Sequence, residues 1–335
     1  MTATSQPGTS PPPLAQASAA HLRQVNEEVK QRSLWLDAWD SAIRNPFALG
    51  GAIIIVVFVT AAIFGPLISP YGINEQNLLN VEQPPSWDHW LGTDELGRDF
   101  LSRILAGART AFLVATMVTV IGGTIGVLAG AAAAMSEGWA GGLIMRVTDV
   151  VFAFPTLLLA VFANKTMRPA IQTQFTSLYE WTGLEIFRSR LLGDYLVVFG
   201  AIALVSWPGM ARLVRGQVLS LKHSEFVEAA RASGASTSWI ITRHILPNVL
   251  GPVIVSITVG FGAAMLLESG LSYLGVGIQP PGASWGAMIN ENLDKWRYTP
   301  HLVLVPGAVL AIVIFAFNFF GDGLNDALNP RQRRR

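Results

Sequence analysis

The sequence predicts an all-α integral membrane protein with six transmembrane helices. Charged residues make up only 13% of the 335-residue chain and hydrophobic residues 51%, whereas soluble domains are about 25% charged. The runs 45–74, 110–136, 195–211, 245–267 and 302–321 contain no Asp, Glu, Lys or Arg. A bilayer core about 30 Å thick takes about 20 apolar residues of helix to cross, so each run is read as a crossing. A sixth segment, 140–163, is apolar apart from Arg146 and Asp149 near one end.

The elements follow in order. Residues 1–34 begin with a Pro-, Ser- and Ala-rich stretch that lacks the basic start and apolar centre of a signal peptide. A disordered cytoplasmic tail is expected there. Residues 35–109 hold the first crossing and an outer segment. From Asp99 onward Phe100, Leu101, Ile104 and Leu105 recur at helical spacing among Arg98, Ser102, Arg103 and Arg109, predicting a membrane-surface helix that turns the chain into the second crossing. The core domain is expected over 110–322. Its first crossing carries Gly122, Gly126 and Gly130 at four-residue intervals, a small-residue face that permits close helix approach in lipid.

In the 140–163 crossing, Asp149 is expected to pair with Arg146. The polar segment 164–194 reads as an outer loop with a short amphipathic helix. Residues 212–244 form a long inner loop, and residues 323–335 a basic cytoplasmic tail. Six crossings put both termini on one face. Lys and Arg number 14 on the face holding the termini and 212–244, against 9 on the other. The positive-inside rule assigns the richer face to the cytoplasm. The absence of cysteine excludes a disulfide framework but does not fix the compartment.

The inner loop is the segment most suggestive of function. Residues 223–233 are helix-compatible, with Glu225, Glu228 and Arg231 on the polar side, and Gly234 is a natural helix stop. Ser236 can cap a second short helix to about Ile245, and Pro247 can then open the next crossing. Connecting loops are usually short, whereas this one is long and is expected to expose Phe226, Trp239 and Ile240. A peripheral partner could grip such a helix, corner and helix.

Glu268 lies 16 residues beyond Pro252, about 24 Å along a helix and so in the outer third of the membrane. A carboxylate facing lipid there costs about 3 kcal/mol. It is therefore expected to face the bundle, water or a partner, either as a structural hydrogen-bonding group or, with Ser269 and Tyr273, as part of a substrate path or gate. A proton-coupled transporter would place ionisable groups near the midplane, and Asp149 and Glu268 are not central. An intramembrane enzyme would need a nucleophile and base or a metal cluster. His21, His89, His223, His244 and His301 fall in tails, loops or span ends, and no HExxH motif occurs. No G-x-x-x-x-G-K-[ST] phosphate loop is present either, so the chain is not an ATPase by that motif.

The stretch "EAARASGASTSWIITRHILPN" (228–248) resembles the EAA loop of membrane subunits of ATP-binding-cassette importers. It has the Glu-Ala-Ala triplet, a glycine after three further residues and a downstream HxLPN. More narrowly, the chain resembles the second permease of the dipeptide/oligopeptide/nickel importer family. The matching segments are "LGTDELGRDFLSRILAGAR" (91–109), "TDVVFAFPTLLLA" (148–160), "WPGMARLVRGQVLSLKHSEFVEAARASGAS" (207–236), "ESGLSYLGVGIQPPGASWGAMI" (268–289) and "FGDGLNDALNPR" (320–331). Segment 164–194 is longer than the family pattern.

The resemblance implies a type I importer (MetI-like) permease fold in a prokaryotic cell membrane, forming half of a peptide pathway. Glu225, Phe226, Glu228, Ala229, Ala230, Gly234, Ala235, His244 and Pro247 would carry the coupling to cytoplasmic ATPase subunits. Those subunits, not this chain, would bind ATP and Mg. A homologous second permease and an extracellular substrate-binding protein would complete the complex. Lipid surrounds it, and nucleic acid is not an expected partner.

Overall fold

The computed structural model describes residues 45–136 and 138–328. The predicted tail at 1–34 and residues 329–335 of the basic tail lie outside the described residues. The long helices are α1 (Pro46–Ile68), α2 (Phe100–Met135), α3 (Trp139–Ala153), α4 (Thr156–Thr182), α5 (Arg190–Leu221), α8 (Leu246–Tyr273) and α10 (His301–Leu328). The short ones are α6 (Glu225–Ala232), α7 (Thr237–Ile240) and α9 (Trp285–Asn292). A 3₁₀ turn at Glu185–Arg188 joins α4 to α5, another at Leu293–Lys295 follows α9, and a wide π turn at Ile241–Ile245 joins α7 to α8. No strand is formed among the described residues.

Capping sets the starts of the first two crossings. Asn45 Oδ1 accepts from the amides of Phe47 (3.0 Å) and Ala48 (3.3 Å) ahead of Pro46 in the first turn. Asp99 Oδ2 accepts from Ser102 N (2.8 Å) and Ser102 Oγ (2.7 Å) at the head of α2.

Five of the predicted crossings correspond to single long apolar helices, and α5 is the spine. In its most apolar stretch 61% of residues are buried, against 22% in α1, so α1 is left mostly to lipid or a partner. The seam between α2 and α5 is the most extensive helix contact, and the glycine stripe makes it possible. A Cβ on Gly126 would stand 2.5 Å from Met210 Cβ and 2.7 Å from Trp207 O, and one on Gly130 would stand 2.4 Å from Ala211 O. Without hydrophobic drive between helices in lipid, such backbone contact supplies the dispersion that holds them. The main core gathers Phe58, Phe100, Ile202, Met265, Trp285 and Phe317.

The structure departs from the sequence expectations in several places. The 140–163 crossing is not one helix, because α3 and α4 meet at 96°. Phe154 is extended (φ −93°, ψ 140°), as expected of a residue before proline, and Pro155 cannot continue the hydrogen-bond ladder. Segment 164–194 is not a loop with a short helix, since α4 runs on to Thr182 before α5 starts at Arg190. The surface helix expected from Asp99 is the buried first quarter of the 36-residue α2, and Phe100, Ser102 and Arg103 are all buried. Asp149 pairs with Arg212 (2.5 Å) rather than Arg146, and the Arg212 guanidinium also lies 4.1 Å from the Phe152 ring centre. Finally, Ile240 is buried rather than exposed.

Candidate functional site

The loop at 212–244 folds into an elbow. Ser224 heads α6, and Val227 is drawn fully into a second apolar cluster with Met210, Val214, Ile240, Ile245 and Val249. This cluster ties the elbow to the ends of α5 and α8. The remaining faces of α6 point away, with Glu225, Phe226, Glu228 and Ala229 exposed. Gly234 closes α6 at φ +82°, which an L-residue resists. Its N–H donates to Arg231 O (3.0 Å) and Ala235 N–H to Ala230 O (3.1 Å), the paired bonds of a Schellman C-cap. Ala230 and Ala235 both pack onto the apolar cluster.

Beyond the corner, Ser236 Oγ accepts from Trp239 N (3.3 Å) and caps α7. Pro247 does not start a separate crossing, because the backbone stays helical from Thr237 to Tyr273. The wide turn, in which Leu246 N reaches Ile241 O, comes immediately before Pro247. Widening there relieves the clash a proline ring makes with the carbonyl four residues back. The result is one corner, at Gly234, fixed to the end of a membrane-length helix.

His244 sits inside the elbow, its ring 4.8 Å from Trp239 and 6.2 Å from Phe226. A shallow concavity of about 620 Å³ is lined by Phe226, Ala229, Gly234, Ala235, Trp239 and His244. Eight of the nine predicted coupling residues thus fall on or beside one small surface, while Pro247 acts at the helix junction above it. Val227, Ile240 and Ile245 pack α6 and the corner against the ends of α5 and α8.

The predicted substrate-path residues are arranged differently. Glu268 is 1% exposed and Ser269 is buried, whereas Tyr273 is 38% exposed. The Glu268 carboxylate accepts from Ser272 Oγ (2.8 Å) and Ser269 Oγ (3.3 Å), and Ser272 Oγ in turn accepts from Ile278 N (3.2 Å). Here the carboxylate pins the turn after α8.

At the end of the bundle away from the elbow lies a charged network that the sequence reading missed. Asp94 Oδ2 accepts from Arg98 Nε (2.6 Å) and Arg103 Nη1 (2.7 Å), and Arg103 Nη1 also donates to Glu291 Oε2 (2.8 Å). Asp94, Arg98 and Arg103 are all buried. Lys295 is held between Glu82 and Glu95, and the Glu82 hydrogen bond, the largest influence, raises its pKa. These pairs fasten the segment after α1 to the segment after α8. The spacing of Asp94, Arg98 and Arg103 in "TDELGRDFLSR" hints at such pairing, but Glu291 lies 188 residues from Arg103 and no local pattern connects them.

Comparison with known proteins identifies this architecture. Residues 122–334 match the family described as binding-protein-dependent transport system inner membrane component. Residues 33–85 match the N-terminal TM domain of oligopeptide transport permease C. The chain is 36% identical to the oligopeptide transport system permease protein OppC of Bacillus subtilis, covering 96% of each chain. It is 37% identical to the dipeptide transport system permease protein DppC of the same organism, covering 92% of this chain and 90% of the relative. It is also 37% identical to the glutathione transport system permease protein GsiD of Escherichia coli, covering 90% of this chain and 91% of that one. A solved MetNI methionine ABC transporter in inward-facing conformations aligns with 69% of this chain and 96% of its own, at TM-score 0.46 and 16% identity, too distant a likeness to add to the assignment. The chain therefore belongs to the family of inner-membrane components of binding-protein-dependent transport systems, as a multi-pass permease subunit of an ABC importer.

Proposed function

We propose that this chain forms half of a peptide translocation path and is driven through its elbow by cytoplasmic ATPase subunits. The observation that carries the reading is the Gly234 corner. It presents Phe226, Glu228 and Trp239 outward while Val227, Ile240 and Ile245 are locked under the ends of α5 and α8. Force applied to α6 by a closing partner would pass directly to two crossings. ATP and Mg belong to the partner subunits. A homologous second permease supplies the other half of the path, an extracellular binding protein delivers the solute, and both termini are cytoplasmic. Peptide is favoured as the solute because the oligopeptide and dipeptide permeases are relatives over nearly the whole chain.

Reconstitution tests the reading. Vesicles holding the permease pair, the ATPase subunits and a loaded binding protein should accumulate di- or oligopeptide when ATP is supplied, and vesicles holding this chain alone should not. ATP-independent uptake by the chain alone would overturn the proposal.

A further inference from the structure

A second concavity, of about 690 Å³, opens where α5 begins. The 32 residues of α5 span about 48 Å, which sets this opening and the elbow on opposite membrane faces. Its wall includes Arg168, Thr176 and Tyr179 of α4, Arg188 of the 3₁₀ turn, and Arg190 and Asp194 of α5. Two of the charges are spent on each other. Arg168 Nη1 donates to Asp194 Oδ1, while Arg168 Nη2 donates to the carbonyls of Val276 (3.1 Å) and Gly277 (3.0 Å). That pair closes the floor and ties α4 to α5 and to the turn after α8.

The other two guanidinium groups are less committed. Arg190 is exposed; it acts on Asp194 electrostatically, but its side chain makes no hydrogen bond among the described residues. Arg188 has only Glu185 at 3.7 Å, a rim contact in which both side chains are more than two-thirds exposed and which contributes little in water. Phe175 and Phe187, packed edge to face at 5.7 Å, give the wall an apolar side. A concavity of this size suits a small solute, and a guanidinium presents two parallel donors that match the two oxygens of a carboxylate.

We propose that this concavity is a carboxylate-binding site, with Arg188 and Arg190 as its direct ligands and the Arg168–Asp194 pair as its fixed floor. It rests on the peptide reading above, under which the bound group is the C-terminal carboxylate of an arriving peptide. The site would hold the solute on the outer face before the path accepts it.

The chain has no cysteine, so Thr176→Cys places a single reporter on the wall. The probes are an anionic and a cationic methanethiosulfonate reagent, applied to the assembled complex in phosphatidylcholine nanodiscs, which contain no anionic lipid to compete. The anionic reagent should react faster. Arg188→Gln with Arg190→Gln should slow the anionic reagent about fivefold, the effect of two unit charges roughly 8 Å away in water, and speed the cationic one, so that the preference collapses. Trialanine should protect the cysteine and trialanine amide should not. A double variant with unchanged reagent preference, or equal protection by the acid and the amide, overturns the proposal. Protection by acetate that depends on both arginines, with none by trialanine, would uphold the carboxylate site and remove the peptide reading.

Discussion

The three glycines of α2 look alike in sequence, yet the structure predicts that they respond differently to a single added methyl. A Cβ at Gly122 would have its nearest neighbours at 3.7 Å, ordinary contact distance. At Gly126 it would meet Trp207 O at 2.7 Å and Met210 Cβ at 2.5 Å, and at Gly130 it would meet Ala211 O at 2.4 Å. Restoring a normal contact of about 3.5 Å at Gly130 requires α2 and α5 to separate by roughly 1 Å. Overpacking of this kind costs about 1 to 3 kcal/mol, while replacing glycine by alanine in a helix gains about 1 kcal/mol. Gly122→Ala should therefore be neutral or stabilising by up to about 1 kcal/mol, and Gly130→Ala, with its contact at 2.4 Å, should destabilise by up to about 2 kcal/mol. Gly126→Ala should destabilise by a similar amount, because Met210 Cβ is fixed by its own backbone and the Trp207 carbonyl cannot move away either. Thermal unfolding of the purified variants in detergent, followed by tryptophan fluorescence, gives the ranking. A Gly122→Ala protein as unstable as Gly130→Ala would refute the close α2–α5 seam.

Arg103→Met should cost about 3 to 5 kcal/mol, because it leaves buried Asp94 with one cation and Glu291 with only the 3.5 Å contact to Arg98; the same unfolding assay reads it, and a loss below about 1 kcal/mol would mean the network is solvated. For orientation, Ser236→Cys in this cysteine-free chain should resist an impermeant thiol reagent in intact cells, whereas Ser177→Cys, near the outer end of α4, should react. The reverse pattern would invert the topology and remove the elbow from the cytoplasm.

Much of the architecture was legible because lipid imposes a simple rule on composition. Five uncharged runs became five spanning helices, and the spacing of Gly122, Gly126 and Gly130 announced a close seam. The Gly234 corner was legible too, since a glycine between two helix-compatible stretches has few other uses. What local pattern could not supply was pairing at a distance. Arg103 looks like a surface charge until Glu291 and Asp94 surround it, and Asp149 has a cation one turn away in Arg146 but takes Arg212 instead. The break at Pro155 was visible as a residue, yet its consequence depends on what receives α4. The polar positions of α4 seemed too hydrophilic for a long helix, but Arg168 is neutralised by Asp194 and two backbone carbonyls. Burial of Ile240 likewise depends on Val227, Val214 and Val249 meeting beneath it.

The central claim is that the elbow transmits motion, and Gly234 and Glu228 test it most directly. A Cβ at Gly234 meets nothing within 4 Å, so Gly234→Val is opposed only by its φ of +82°. That conformation costs an L-residue about 1 to 2 kcal/mol, enough to distort the corner and too little to unfold the bundle. Glu228→Lys reverses an exposed charge on the outward face of α6 and should weaken docking without altering the chain's own packing. The measurement is ATP hydrolysis stimulated by loaded binding protein in reconstituted complexes, made alongside a check of membrane insertion. The account predicts normal insertion and lost stimulation for both variants. Full stimulation in both would contradict it and reduce the elbow to a loop.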